Sequence, residues 1–217
     1  MMGAVAGGLK DKKAIFITLE GIEGSGKSSL LDFLNKFFTK KKFSVKIFRD
    51  PGSTNLGEKI RKILLDKKSR ISVYAELFLY LAARAQLIEE KLYKALKSYD
   101  VVICDRFYDS TIAYQGYGLG LGKIAETLSL KFSFGIVPDL TIILDTDVKR
   151  GLSRIKNKDR IEKRPLSFHL KVKEGYKKLA KRFPSRIKLI EEDKLDEIFK
   201  ETEKIVEELL KEWKKKY

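Results

Sequence analysis

An eight-residue glycine-rich loop constrains how this 217-residue chain folds more than any other feature. The segment GIEGSGKS, residues 21–28, matches the phosphate-binding pattern G-x-x-x-x-G-K-[ST] at every fixed position. An apolar run at 14–19 precedes the loop as a buried strand would, and leucines follow it at helical spacing. Strand, loop and helix in this order predict a cradle for the phosphates of a nucleoside triphosphate with Mg²⁺.

The loop would bind phosphates through backbone N–H groups, one lysine and one hydroxyl, because glycine lets the backbone approach a ligand closely. Lys27 is expected to reach the β- and γ-phosphates, and Ser28 to bind Mg²⁺. The alternative is a glycine-rich turn with a chance lysine, which the flanking strand and helix disfavour. The predicted phosphate-binding set is Gly21, Ile22, Glu23, Gly24, Ser25, Gly26, Lys27, Ser28 and Ser29.

Composition limits the class of protein. The length suits one α/β domain, and no run approaches the roughly 18 apolar residues of a membrane span. Residues 1–12 are expected to form a flexible tail and not a signal peptide, which leaves 13–217 as one domain. The single cysteine, Cys104, excludes an intramolecular disulfide or a CxxC site and is predicted to be buried. Together these features favour the cytoplasm.

The net charge of +16 allows two interpretations. It is compatible with a nucleic-acid partner, since polyanions bind basic surfaces. Lysines are however scattered along the chain without a nucleic-acid-binding motif, so a lysine-rich surface and small anionic substrates are favoured.

Strand and helix patterns alternate along the chain, which predicts an α/β fold with a parallel sheet covered on both faces. Parallel sheets bind ligands at the carboxyl ends of their strands, so the segments that follow the strands should meet. The predicted strands are 14–20, 44–49, 100–105, 139–145 and 187–190. The predicted helices are 27–40, 57–66, 73–98, 109–116, 123–133, 147–156, 166–182 and 195–214.

Further motifs narrow the class of protein that the sequence indicates. They are RDPGST at 49–54, LAARAQL at 81–87, DRFYDSTIAYQG at 105–116, PDL at 138–140 and a basic stretch at 150–164. In this order the chain resembles the thymidylate kinase family from about Ala14 to about Lys211. The resemblance implies a five-stranded parallel sheet, a P-loop kinase fold, a mobile lid at about 150–164 and a homodimer. It also implies transfer of the γ-phosphoryl group of ATP to dTMP, with Mg²⁺, in dTTP biosynthesis.

The resemblance assigns roles at the reaction centre. Asp105 would hold Mg²⁺ with Ser28, and Arg106 would lie between the donor and acceptor phosphates. A surface ion pair after a strand is the alternative for these two residues. Glu23 resembles an acidic residue near the acceptor sugar and metal. The P-loop has no arginine, so the lid would supply a further positive charge, from Arg154, Lys156, Lys158 or Arg160, with Arg154 and Arg160 favoured.

The resemblance also defines an acceptor pocket. Tyr80 and Arg84 are four residues apart on one helix face, where the ring would stack on thymine and the guanidinium would bond to the base. Without the resemblance, Tyr80 would be read as ordinary core. The remaining predicted dTMP contacts are Asp50, Pro51, Arg61, Arg106, Ser110, Thr111, Tyr114 and Gln115. Asp50 is a departure, because bacterial members commonly read REPGGT where this chain reads RDPGST.

Three alternatives remain at this stage. A kinase for another monophosphate or for a deoxynucleoside would lack the pairing of Arg84 with AYQG at 113–116. A nucleic-acid-stimulated ATPase would explain the charge but needs a separate binding element. An inactive P-loop protein is disfavoured by intact Lys27, Ser28, Asp105 and Arg106.

Overall fold

The structure is a computed structural model that describes residues 12–215. The tail predicted at residues 1–12 therefore lies outside the described residues, apart from Lys12, whose ammonium group pairs with Asp139. Strands and helices alternate in this part of the chain as the sequence predicts. The strands are β1 (Ile15–Gly21), β2 (Val45–Arg49), β3 (Val101–Asp105), β4 (Leu140–Leu144) and β5 (Ile187–Ile190).

The helices surround these strands and begin close to their predicted positions. They are α1 (Lys27–Lys40), α2 (Asn55–Leu65), α3 (Val73–Leu87), α4 (Tyr93–Ser98), α5 (Tyr108–Thr111), α6 (Gly122–Lys131), α7 (Val148–Ser153), α8 (Leu166–Arg182) and α9 (Leu195–Lys214). Two predicted helices contain π-helical segments, at Ile88–Leu92 and Ile112–Gly118. The helix predicted at 147–156 ends at Ser153.

All five strands of the sheet are parallel, in the order β2-β3-β1-β4-β5. The predicted fold class is therefore confirmed. Strand β1 lies in the centre, where Leu19 is level with Asp105 of β3 and Gly21 is level with Leu144 of β4. Parallel pairing puts the P-loop, the DPGST turn and the DRFYDST segment at one edge of the sheet, as expected.

The core lies on both faces of the sheet because side chains alternate along each strand. Ile15, Ile17 and Leu19 of β1 pack with the apolar faces of α1 and α9. Phe16 points to the other face, where it joins a second core with α4, the π-helical segment at 112–118 and α8. Cys104 is buried in that second core, as predicted. None of the helices within residues 12–215 has the length and apolar character that a membrane crossing needs.

Candidate active site

The P-loop joins β1 to α1 through glycines that other residues could not replace. At Gly24, φ is +70° and a Cβ atom would lie 2.0 Å from the carbonyl oxygen of Gly151 in α7. Lys27 folds back over the loop, and its Nζ donates to the carbonyl oxygens of Gly21 at 3.1 Å and Ile22 at 2.8 Å. Burial, followed by the charge of Arg106, lowers the pKa of Lys27 to about 8.

Ser28, in the first turn of α1, and Asp105, the last residue of β3, face the same cavity as Lys27. The Oδ1 atom of Asp105 is buried and has no hydrogen-bond partner within the described chain. A free carboxylate oxygen beside a hydroxyl fits Mg²⁺, an ion that is held by one or two carboxylates together with substrate phosphates and water. These two side chains therefore form a site that is compatible with the predicted metal.

Arg106 follows Asp105 and has an unusual backbone conformation, with φ at +69°. Its Nη1 donates to the hydroxyls of Ser110 at 3.1 Å and Tyr176 at 3.2 Å. Its Nη2 donates to Glu23 Oε1 at 3.2 Å and to the Tyr114 hydroxyl at 3.3 Å. Four partners thus fix the guanidinium at the wall of the cavity that it shares with Glu23 and Lys27 of the P-loop.

The Glu23 carboxylate completes this cluster from within the P-loop. The Tyr114 hydroxyl donates to Glu23 Oε1 at 2.6 Å. Burial alone would raise the pKa of Glu23, but Arg106 and Lys27 outweigh burial and lower it. Glu23 is therefore ionised near neutral pH and partly neutralises the two cations beside it.

Arg84 and Asp50, two of the predicted dTMP contacts, form a buried ion pair with Nε and Oδ2 2.6 Å apart. Arg84 Nη2 also donates to Thr111 Oγ1 at 2.7 Å and to the carbonyl oxygen of Phe107 at 3.2 Å. Its Nη1 is buried and has no partner among the residues described. A buried donor without a partner is costly, so this atom is suited to donate a hydrogen bond to a ligand acceptor.

A second polar cluster in this region is built around Glu76 of α3, which is fully buried. Gln115 donates to its Oε1 at 2.9 Å, and Arg160 and Arg164 each donate to its Oε2 at 2.6 Å. Tyr80 lies one helical turn after Glu76 and lines the cavity, where burial raises the pKa of its hydroxyl well above the usual range.

The turn after β2 and the helix that follows it form another wall of the same cavity. Pro51 follows a cis peptide bond, and its carbonyl oxygen accepts a hydrogen bond from Arg61 Nη1 at 3.3 Å. Thr54 caps α2 by accepting from Gly57 N, which fixes the helix that carries Arg61. Asp50, Pro51 and Arg61 thereby reach one cavity from a single turn and helix.

The arginines of the basic segment at 150–164 contact two different parts of the molecule. Arg154 lies beside the P-loop, where Nη1 donates to the carbonyl oxygen of Gly24 at 2.9 Å. Arg160 instead contacts α2 and α3, since Nε donates to the carbonyl oxygen of Leu64 at 2.7 Å and Nη2 to Glu76. Lys156 is exposed and Lys158 half-buried. The structure thus brings one of the two favoured arginines, Arg154, to the P-loop.

Most predicted site residues of the other segments line one cavity of about 250 Å³, whereas Gly21, Ile22, Ser25, Gly26 and Ser29 of the P-loop do not. Its lining includes Glu23, Gly24, Lys27, Ser28, Asp50, Pro51, Arg61, Tyr80, Arg84, Asp105, Arg106, Ser110, Thr111, Tyr114 and Gln115. A second cavity of about 490 Å³ lies on the other side of the P-loop and is lined by Gly24 through Ser29, Arg154, Asp193, Leu195 and Ile198.

Sequence reasoning missed several residues of this region. Glu20 and Tyr176 hold the Ser110 hydroxyl, and Glu76 with Arg164 joins α3 to the basic segment. His169, the single histidine of the chain, has its Nδ1 3.7 Å from Glu23 Oε2. Glu20 breaks an otherwise apolar strand, and this break was the one local signal available. The other residues lie far from the motifs in sequence, so only the fold brings them close.

One cavity is lined on one side by the P-loop and on the other by polar residues from several other segments. This arrangement identifies the protein as a P-loop nucleotide kinase. A family model described as thymidylate kinase matches residues 19–208. The chain belongs to the thymidylate kinase family. The family resemblance stated from the motifs and the predicted enzyme class, an ATP-dependent nucleoside monophosphate kinase, are confirmed.

Relatives named thymidylate kinase cover nearly the same length. The chain is 40% identical to one from Thermoanaerobacter sp. (strain X514) over 201 residues, which are 90% of this chain and 97% of the relative. It is 45% identical to one from Chlamydia muridarum over 183 residues, 82% and 90% of the two chains. The crystal structure of thymidylate kinase from Ehrlichia chaffeensis superposes with a TM-score of 0.72 at 31% identity, covering 89% of this chain and 98% of that one.

Proposed function

We propose that this chain transfers the γ-phosphoryl group of ATP directly to the 5′-phosphate of dTMP, and that the residues of the 250 Å³ cavity carry the reaction. One observation supports the assignment above all: Arg106 lines the same cavity as Lys27, Asp50 and Arg84, and each of its Nη atoms is held by two partners. A cation fixed there can neutralise charge on a phosphoryl group that moves between the two sides.

The donor side follows from the P-loop. Lys27 leaves its loop carbonyls to bind the β- and γ-phosphates, while backbone N–H groups from Gly21 to Ser29 surround them. Ser28 and Asp105 would hold Mg²⁺, which supplies further charge neutralisation on the phosphates when bound. Arg154 adds a positive charge from the segment at 150–164, which we propose acts as a lid that excludes water. We assign the donor base and ribose to the 490 Å³ cavity beside Leu195, which adjoins the P-loop.

The acceptor side follows from the pocket opposite. Tyr80 offers a ring face to thymine, and the unpartnered Nη1 of Arg84 offers a donor to a base oxygen. Tyr114 and Glu23 would lie beside the sugar of dTMP, and Arg61 would lie near its phosphate. The attacking phosphate oxygen is already ionised near neutral pH, so no side chain has to remove a proton.

Three further properties belong to the same proposal. The chain forms a homodimer, supported by Tyr74 and Phe78, apolar side chains on one face of α3 that are 52% and 54% exposed. It acts in the cytoplasm, where a free buried thiol such as Cys104 is stable. Its partners are small nucleotides and not nucleic acid, so DNA or RNA should not stimulate its ATP turnover.

The test is ADP release from ATP with Mg²⁺, measured for purified protein against dTMP, dUMP, dGMP, dCMP, AMP, UMP and thymidine. We expect the highest kcat/KM with dTMP and a weaker reaction with dUMP, because one methyl group in an apolar pocket is worth about 1–3 kcal/mol. Preference for another monophosphate, or turnover that needs nucleic acid and no monophosphate, would refute the acceptor assignment.

A further inference from the structure

Glu20 is a buried carboxylate in β1 with no role in the reaction described so far. Alternation along the strand places it on the face of Phe16, toward α5 and α8. It is fully buried, and a buried carboxylate needs hydrogen bonds to offset lost hydration. Three donors supply them: Phe107 N to Oε1 at 2.8 Å, and the Ser110 and Tyr176 hydroxyls to Oε2, the latter at 2.9 Å.

The two hydroxyls that bind Glu20 also bind Arg106. Arg106 Nη1 donates to Ser110 Oγ at 3.1 Å and to the Tyr176 hydroxyl at 3.2 Å. A hydroxyl group has one hydrogen and two lone pairs. When that hydrogen points to Glu20, only lone pairs face Arg106, and a guanidinium group can only donate. The carboxylate therefore orients both hydroxyls correctly for Arg106.

The backbone around Arg106 is fixed from the same place. Its φ of +69° is unfavourable for a residue with a side chain, so the surrounding structure has to hold it. Arg106 N donates to the carbonyl oxygen of Leu19 at 3.0 Å, and the next N–H, that of Phe107, donates to Glu20. Two adjacent residues of β1 thus fix the peptide groups on both sides of the Arg106 Cα atom.

We propose that Glu20 is a positioning residue for Arg106, which it holds through Phe107 N and through the Ser110 and Tyr176 hydroxyls. Glu20 does not itself touch substrate. Its effect is to aim Nη2 of Arg106 at Glu23 and the phosphoryl path. The inference rests on the proposed role of Arg106, and it adds a buried strand residue and a tyrosine of α8 to the catalytic unit.

A glutamine at position 20 keeps the shape but reverses the polarity. If its amide oxygen accepts from Phe107 N, its NH₂ group faces Ser110 and Tyr176. Both hydroxyls must then accept from the amide, and although one can donate to the other across their 2.9 Å contact, the remaining hydrogen is turned toward Arg106, which offers no acceptor. The Tyr176→Phe variant is milder, because it removes one hydroxyl and leaves the Ser110 connection in place.

The experiment is run at pH 8.5, where Glu20 is ionised although burial raises its pKa to about 7. It measures kcat and the two KM values for Glu20→Gln, Tyr176→Phe, Arg106→Lys and the double variant Glu20→Gln/Arg106→Lys. Tyr108→Phe is the matched control, since Tyr108 is a buried tyrosine whose hydroxyl is not a partner of Arg106. We expect Glu20→Gln to lower kcat by about 10- to 100-fold and Tyr176→Phe by about 3- to 10-fold, because small misplacements of a catalytic group are costly. Both KM values should stay within about threefold, and Tyr108→Phe should match wild type.

The double variant separates positioning from a general structural effect. If Glu20 acts through Arg106, adding Glu20→Gln to Arg106→Lys lowers kcat little further. A full multiplicative loss, or a change in KM alone, overturns the inference. If Glu20→Gln does not fold, Tyr176→Phe alone and combined with Arg106→Lys carries the same test. If Arg106→Lys has a lowered kcat while the Glu20 and Tyr176 variants keep the wild-type kcat, only the inference about Glu20 is overturned. If Arg106→Lys itself keeps the wild-type kcat, the proposed role of Arg106 is overturned as well.

Discussion

The guanidinium of Arg84 and the carboxylate of Asp50 form an ion pair whose side chains are 1% and 0% exposed, with Nε and Oδ2 2.6 Å apart. The pair joins α3 to the turn that follows β2, so it connects two walls of the acceptor pocket. Burial raises the pKa of the Asp50 carboxyl, and Arg84 opposes this shift. The same arginine thus has a structural partner on one side and a free donor, Nη1, on the other.

These two functions of Arg84 can be separated by mutation. Arg84→Met should raise KM for dTMP by about 10- to 100-fold, because a buried polar contact to the base is lost, and leave KM for ATP nearly unchanged. It should also lower the free energy of unfolding by about 3–5 kcal/mol, because Asp50 is left buried and unpaired. Steady-state kinetics and urea unfolding measure the two effects.

The double variant Asp50→Asn/Arg84→Met is the control. Replacing both charges removes the unpaired carboxylate, so most of the lost stability should return while KM for dTMP stays high. Equal rises in both KM values, or recovery of dTMP affinity in the double variant, would contradict a direct contact between Arg84 and the base.

Lys27 should be required for turnover but not for folding. Its Nζ contacts only atoms of its own loop in the described structure, so Lys27→Ala removes no long-range packing. We expect kcat to fall by about 100- to 1000-fold, as for loss of other preorganised charge donors, with a nearly unchanged melting temperature. Lys36→Ala, an exposed lysine of the same helix, should behave as wild type. Wild-type rates in Lys27→Ala would refute the P-loop assignment.

Substitution of Arg154 and of Arg160, the two favoured arginines of the segment at 150–164, should have different effects on kinetics and stability. Arg154→Ala should lower kcat by about 100-fold, since Arg154 lies at the P-loop, and change stability by less than about 0.5 kcal/mol because the side chain is exposed. Arg160→Ala should instead raise KM for dTMP and lower the free energy of unfolding, because Glu76 and the end of α2 lose a partner. Kinetics and unfolding of both variants distinguish these outcomes, and a larger loss of kcat in Arg160→Ala would reverse the assignment.

The sequence predicts the strand, loop and helix of the P-loop segment well because these three are contiguous and local, although the binding roles of their residues stay predictions. The acceptor half follows from the family motifs, whose residues the parallel sheet brings to one cavity, although their roles stay predictions. Arg160 shows the limit of motif reasoning, since charge and position in the basic segment carry no information about Glu76, 84 residues away. The π-helical segments were missed for a similar reason, because their apolar residues also fit an α-helical pattern.

Glu20 should make the stability of the fold depend on pH. Burial, followed by the Asp109 carboxylate, raises its pKa from 4.5 to about 7. Below about pH 4.5 the group is protonated in both the folded and the unfolded state. Between about pH 4.5 and pH 7 the folded state binds more protons, so the contribution of Glu20 to stability falls as pH rises through this range and is lost above about pH 7. A shift of this size corresponds to about 3 kcal/mol.

Urea unfolding of wild type and Glu20→Gln at pH 5.0 and pH 7.5 measures this contribution. The subtraction is needed because other carboxyls, such as those of Glu58 and Asp100, have lowered pKa values and act in the opposite direction. Their contributions cancel in the difference between the two proteins. The advantage of wild type over Glu20→Gln should be larger at pH 5.0 than at pH 7.5, by about 2–3 kcal/mol. A difference that does not change with pH would mean that Glu20 keeps an ordinary pKa in the folded protein.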